Sequence, residues 1–292
     1  MSKLLTCYIH SLIHSIDKPI AKKYNLVIDG GGFNGAFIGG CLYYLYELEA
    51  LKLITINKIS GCSVGALLGY MYLTNSLEYL PIYYERILSN YRNYGNLKVL
   101  KKIIIEHVKK TEYRLINKKL FITYYNINTR KQHVVSEFNS ETKIIKCLIK
   151  STFVPFLIDG TLGYKDKKKL YCDGFSPYIF NYNRKNTIFL SLITYKFLKH
   201  SFYTNQDVDI WEKLFDGIKD IHLFFSNTMA STKYCSLINQ WSTRSFIKFT
   251  LREILIKLFL IVLKNSNFSK SQYCFNDFYK LFLKNIHSYK IS

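Results

Sequence analysis

Glycine and proline are scarce in this chain. Its 292 residues hold 14 Gly and 4 Pro, too few for a low-complexity, collagen-like or linker-rich protein. Acidic residues are also few: 20 Asp and Glu stand against 41 Lys and Arg, a formal net charge of +21. That balance excludes an acidic solvating tail and favours anionic partners, either nucleic acid or a membrane surface carrying acidic lipid. The lysines are spread along the chain, with short clusters at Lys101-Lys102, Lys109-Lys110, Lys118-Lys119 and Lys167 to Lys169. Each cluster reads as solvated surface, so charge alone does not choose between those partners.

Metal-binding spacings and membrane spans are missing too. The seven cysteines (Cys7, Cys41, Cys62, Cys147, Cys172, Cys235, Cys274) form no C-x-x-C pair and do not cluster with histidine, so no metal site and no cofactor is expected. Most lie in apolar runs, which suits buried free thiols in a reducing compartment. The longest candidate span, Phe246 to Leu263, is interrupted by Lys248, Arg252, Glu253 and Lys257, whereas a spanning helix needs about 20 apolar residues. The N-terminal MSKLLTCYIHSLIHS is broken by His10 and His14 and lacks a small-residue cleavage site, so no signal peptide is expected. A cytoplasmic protein, soluble or peripheral on a membrane, is the expectation.

What is present is concentrated. Nine of the 14 glycines fall between Gly30 and Gly69. Residues 24–29 (YNLVID) form an apolar run that stops at a glycine cluster, the pattern of a buried strand ending in a tight loop. Helical spacing follows from Gly35 to Leu51. A second strand is expected over 56–62 and a second helix from Val64. Strand, glycine loop, helix, strand, sharp turn, helix predicts a three-layer α/β/α fold around a mostly parallel sheet. Beyond it, residues 76–117 read as helical and 119–137 as a hairpin turning at Asn128-Thr129-Arg130. A helix is expected over 142–150, and short strands end at 170–175 and 187–193. From 196 onward the periodicity is helical. The chain divides in this reading into an N-terminal extension (1–22), a catalytic core (23–195) and a helical C-terminal region (196–292).

Three segments carry chemistry. Gly61-Cys62-Ser63-Val64-Gly65 is a G-x-S-x-G between a strand and a helix, where a strained turn thrusts the serine hydroxyl outward and its neighbours must lack a Cβ. Asp29-Gly30-Gly31-Gly32-Phe33-Asn34-Gly35 presents successive backbone N–H groups, the requirement of an oxyanion hole. Gly30, Gly32 and Gly35 also fit the dinucleotide fingerprint G-x-G-x-x-G, but the next strand, INKISGC, lacks the acid that would hold a ribose, so a nucleotide site is disfavoured. Asp173-Gly174 ends a short strand from which an aspartate can face the serine elbow; by itself the dipeptide is only a turn signal.

Together these segments resemble the patatin-like phospholipases, which combine a G-G-G-x-[RK]-G loop, a G-x-S-x-G elbow and a D-G-[GA] motif in this order. The flanks GCLYYLYELEALKL, KISGCSVGALLGYMY, STFVPFL (151–157) and DGFSP (173–177) are similar as well. The resemblance covers residues 23–195 and implies calcium-independent hydrolysis of lipid acyl esters by a Ser63–Asp173 dyad. It implies an oxyanion hole of Gly30, Gly31 and Gly32, with Asn34, Gly35, Gly61, Gly65 and Gly174 as supporting motif positions. Two positions depart from it: Asn34 stands where the loop carries a basic residue, and Phe175 where a small residue follows Asp-Gly. A phospholipid or other acyl lipid is the expected substrate and an anionic membrane surface the expected partner. Nucleic acid is disfavoured, and the oligomeric state is not legible. Two rivals stay open. His200 and His222 follow Asp173 in the order of a Ser-His-Asp triad. Residues 246–264 fit either a basic interfacial helix or a core-packing one, the former also on an inactive scaffold.

Overall fold

Leu26, Val27 and Ile28 are fully buried and apolar in succession, as in a strand covered on both faces. They lie in β1 (Lys23–Ile28), an interior strand of the sheet. The computed structural model describes residues 3–16, 23–108, 113–180, 186–192 and 209–265. Its remaining elements are α1 (Lys3–His14), α2 (Gly35–Ala50), β2 (Thr55–Cys62), α3 (Val64–Leu73), α4 (Leu80–Tyr94), α5 (Lys98–Val108), β3 (Leu120–Asn126) and β4 (Lys131–Val135). They continue with α6 (Glu141–Ser151), β5 (Tyr164–Asp166), β6 (Lys169–Cys172), β7 (Thr187–Leu190), α7 (Ile210–Ser226), β8 (Cys235–Leu237) and α8 (Thr243–Asn265).

The strand order is β5-β6-β3-β2-β1-β7-β8, with β4 also beside β3. The inner pairs β3/β2, β2/β1 and β1/β7 are parallel, and the outer pairs antiparallel. β3 has three partners but only two edges. β4 runs along residues 122–126 on one of them. On the other, β2 pairs with residues 120–123 and β6 with residues 125–126. β2 ascends parallel to β3 and β6 descends antiparallel to it, so their C-terminal ends meet head to head. This junction joins Cys62-Ser63 to Cys172-Asp173.

One face of the sheet, including Leu26 and Ile28, packs under α2, α3 and α6 in the main core. Where α2 crosses α7 the backbones touch: a Cβ on Gly40 would strike the carbonyl of Leu214, and one on Gly217 that of Phe37. The opposite face, including Val27 and Phe189, packs against Trp241 and Phe249. At the other end of α8, Ile256, Leu260 and Leu263 close over Tyr125, Ile127 and Cys172. Helix α8 therefore supplies the third layer.

Most expected elements are present, with informative differences. Residues 76–117 split into α4 and α5 at Gly95, whose φ of 65° ends α4 in a left-handed turn. The three-residue strands β5 and β8 are too short for a period-2 signal. β8 interrupts the helical C-terminal region, and the N-terminal extension contributes α1, which buries Leu5, Ile9 and Ile13. Cys41, Cys62, Cys147, Cys172 and Cys235 are buried free thiols; Cys7 is exposed, and Cys274 lies outside the described residues. Among the described residues, no helix is long and apolar enough to cross a membrane.

Candidate active site

The serine elbow has the geometry its glycines imply. Ser63 sits between β2 and α3 with φ 53° and ψ −131°, a region that a residue bearing a Cβ occupies only under constraint. The constraint is steric closeness. A Cβ on Gly65 would lie 2.5 Å from the Asp29 carbonyl, and one on Gly61 2.5 Å from that of Gly65. Only glycine lets α3 begin this near β1.

Ser63 and Asp173 are brought together. The serine hydroxyl donates to Asp173 Oδ2 at 2.7 Å, and the backbone N–H of Phe175 donates to Oδ1 at 2.8 Å. Asp173 is buried, and burial lifts its pKa from 3.8 to about 6. The hydrogen bonds from Phe175 and Ser63 and the charge of Arg252 oppose that rise, while nearby Asp29 adds to it.

The segment 151–157 is the scaffold of this pair. Ser151 Oγ accepts the backbone N–H of Ser63 at 3.0 Å. The carbonyls of Ser151 and Phe153 accept from Gly174 and Asp173, at 3.1 and 2.8 Å. One loop thus grips both halves of the dyad, a role that motif spacing alone did not disclose. A Cβ on Gly174 would strike the carbonyl of Thr123.

The glycine loop is reassigned in one respect. The N–H of Gly30 donates to the Asp29 side chain at 2.8 Å, so it is occupied and leaves the expected oxyanion set. The N–H groups of Gly31 and Gly32 make no hydrogen bond among the described residues. Gly30 has a steric role instead, since a Cβ there would come within 3.1 Å of the Ser63 Cβ. Gly35 is closer still to its neighbour, since a Cβ there would lie 2.6 Å from the Val64 side chain, and Asn34 is buried.

Phe175, the departure after Asp-Gly, has φ 47°. Its ring turns toward Tyr125 and Phe259, so it seats α8 beside the dyad. From that helix Arg252 reaches inward. Its two terminal nitrogens donate to Asp29 Oδ1 and Oδ2, each at 2.7 Å, and one of them also donates to the carbonyl of Phe175. Ser191 Oγ donates to Asp29 Oδ2 at 3.2 Å. In the sequence Arg252 is one of four charged residues, with Lys248, Glu253 and Lys257, that interrupt an apolar run, and nothing there names its partner 223 residues away.

Beside Ser63 an apolar cavity opens, lined by Gly32, Leu67, Met71, Tyr84, Leu97 and Val154 among others. Histidine is not part of this centre among the described residues: His222 bonds Tyr44 and Ser226 from α7, which removes it as a triad member. His200 lies outside the described residues. Among the described residues, no three of His, Cys, Asp and Glu are gathered as a metal ion would need.

Comparison with known proteins identifies a family. The sequence model of the family described as patatin-like phospholipase matches residues 26–272. A Mus musculus protein named 1-acylglycerol-3-phosphate O-acyltransferase Pnpla3 is 26% identical over 165 residues, which are 52% of this chain and 39% of that protein. An uncharacterised protein of Acanthamoeba polyphaga mimivirus is 27% identical over 186 residues, 55% of this chain and 61% of its own length. The chain spans less than two thirds of either relative.

Proposed function

Because the chain belongs to the patatin-like phospholipase family, a family of lipid acyl-group enzymes, we propose that it hydrolyses acyl esters of membrane lipids through Ser63 and Asp173. The observation that carries this reading is the 2.7 Å hydrogen bond from Ser63 Oγ to Asp173 Oδ2 beside an apolar cavity. Asp173 takes the serine proton as Oγ attacks the acyl carbonyl carbon. The N–H groups of Gly31 and Gly32 stabilise the resulting oxyanion; removing one such donor costs on the order of 10²–10³ in rate. The ester C–O bond then breaks, and the leaving alcohol recovers the proton from Asp173. Water, deprotonated by the same carboxylate, attacks the acyl-enzyme to release a fatty acid and restore Ser63. A carboxylate lifted to about 6 is a better base for this work than an ordinary aspartate and is still ionised at neutral pH.

The substrate in this reading is a phospholipid or other acyl lipid met at an anionic membrane surface. Helix α8 supports the surface part. Ile247, Leu251, Ile254, Leu255 and Leu258 are exposed on one side of it, and Arg244, Lys248, Lys257 and Lys264 are exposed along its length. Apolar side chains rimmed by lysine suit the headgroup region of an acidic bilayer.

Acyl transfer is the second reading. An acyl-enzyme here forms against a base that is only 3% exposed, which favours an alcohol acceptor that brings its own apolar body over water. Incubation with phosphatidylglycerol vesicles, with and without a lyso-phospholipid, separates the readings by mass spectrometry. Hydrolysis releases free fatty acid, and transfer regenerates diacyl lipid. Product formation that persists unchanged in Ser63→Ala would overturn both.

A further inference from the structure

Arg252 joins three parts of the molecule that the backbone leaves separate. Its guanidinium pairs with both oxygens of Asp29, the fully buried residue that heads the glycine loop, and donates to the carbonyl of Phe175 in the dyad loop. Asp29 Oδ1 in turn holds the N–H of Gly30, and the N–H of Phe175 holds Asp173 Oδ1. The glycine loop from Asp29 to Gly35 carries no Lys or Arg of its own, so the cation at this site arrives from α8.

We propose that Arg252 is a positioning residue: from α8 it clamps Asp29 and the Phe175 carbonyl, and so holds the oxyanion loop and the dyad loop in mutual register. The clamp rests on the dyad reading given above. It acts through the Asp29 carboxylate and the Phe175 backbone, while Ser63 and Asp173 do the chemistry.

The arrangement has an electrostatic consequence of definite sign. The charged and titratable groups coupled to Asp173 are Asp29 from the end of β1, Arg252 from α8, and the thiols of Cys62 and Cys172 from β2 and β6. Both thiols are held neutral by burial. Glu253, the next residue on α8, adds a negative charge near Arg252 and accepts a hydrogen bond from Tyr125 at 3.0 Å. Removing Arg252 leaves Asp29 as an unopposed negative neighbour and makes the ionised base harder to form. Removing the charge of Asp29 leaves Arg252 as an unopposed positive neighbour and makes it easier.

The test is the pH dependence of kcat/KM for a soluble p-nitrophenyl ester, measured on the full chain as wild type, Arg252→Gln, Asp29→Asn, Arg252→Lys and the Asp29→Asn/Arg252→Gln double variant. The expected result is an acid limb displaced upward by roughly one unit in Arg252→Gln and downward in Asp29→Asn. Arg252→Lys should stay near the wild-type limb, with turnover reduced by about tenfold because a lysine cannot make the bidentate contact. The double variant removes both buried charges, so it gives a folded protein if either single variant does not; its limb should lie near wild type and its kcat well below it. Limbs that coincide in all variants, or a double variant with wild-type kcat, would overturn the proposal. A wild type without Ser63-dependent turnover would instead overturn the dyad reading, and the clamp with it.

Discussion

Asp173 sets stability against chemistry. Its folded pKa of about 6 exceeds its ordinary 3.8, so the folded state holds this proton more tightly than the unfolded one. Stability from this group is therefore undiminished below pH 3.8, falls as pH rises toward 6, and is lower by about 3 kcal/mol at neutrality. Asp173→Asn should accordingly abolish turnover while raising the melting temperature at pH 7, with the gain vanishing near pH 4. Melting curves at the two pH values check this, and a variant that melts lower at pH 7 would contradict it. In the wild type, turnover should rise as pH passes through about 6, because the base works only when ionised. Gly65 offers a second test at this scale. A Cβ there would enter the carbonyls of Asp29 and Ile28 at 2.5 and 2.6 Å. Gly65→Ala should cost about 3 kcal/mol, the upper end for an overpacked site, readable as a lowered urea midpoint.

At the scale of elements, legibility followed range. β1, α2, β2 and α3 declare themselves through buried runs, helical spacing and the glycines between them, since each signal is local. The elbow residues Gly61, Ser63 and Gly65 were readable for the same reason. The pairing of Ser63 with Asp173 was legible only through the family resemblance and not from local pattern, because it depends on β6 descending the same edge of β3 that β2 ascends. Likewise the dual apolar character of α8 blurred its reading: Ile256, Leu260 and Leu263 face the sheet while Leu251, Leu255 and Leu258 stay exposed. Amphipathic and core-packing descriptions each capture one side. If the exposed side enters a bilayer interface, replacing Leu251 and Leu255 by Asp should weaken association with phosphatidylglycerol vesicles by at least about tenfold. Flotation measures the loss, and circular dichroism confirms that the helix survives. Undiminished flotation would assign these side chains no part in surface binding.

At the scale of the whole molecule, the charge of +21 acts over a Debye length of about 8 Å at physiological salt. Binding to vesicles should therefore increase with their anionic lipid content and decline between 50 and 300 mM salt, roughly, as expected of screened attraction. Binding to a random DNA duplex without lipid preference would redirect the charge to nucleic acid. The sheet, the elbow and α8 all converge on the surroundings of one serine, whose activation decides the function. The direct measurement is covalent labelling of the folded protein by a fluorophosphonate probe, with Ser63→Ala and Asp173→Asn alongside. The wild type should be labelled, Ser63→Ala should not, and labelling of Asp173→Asn should fall sharply. Folded wild-type protein that stays unlabelled even with vesicles present, or labelling retained in Ser63→Ala, would contradict the dyad reading.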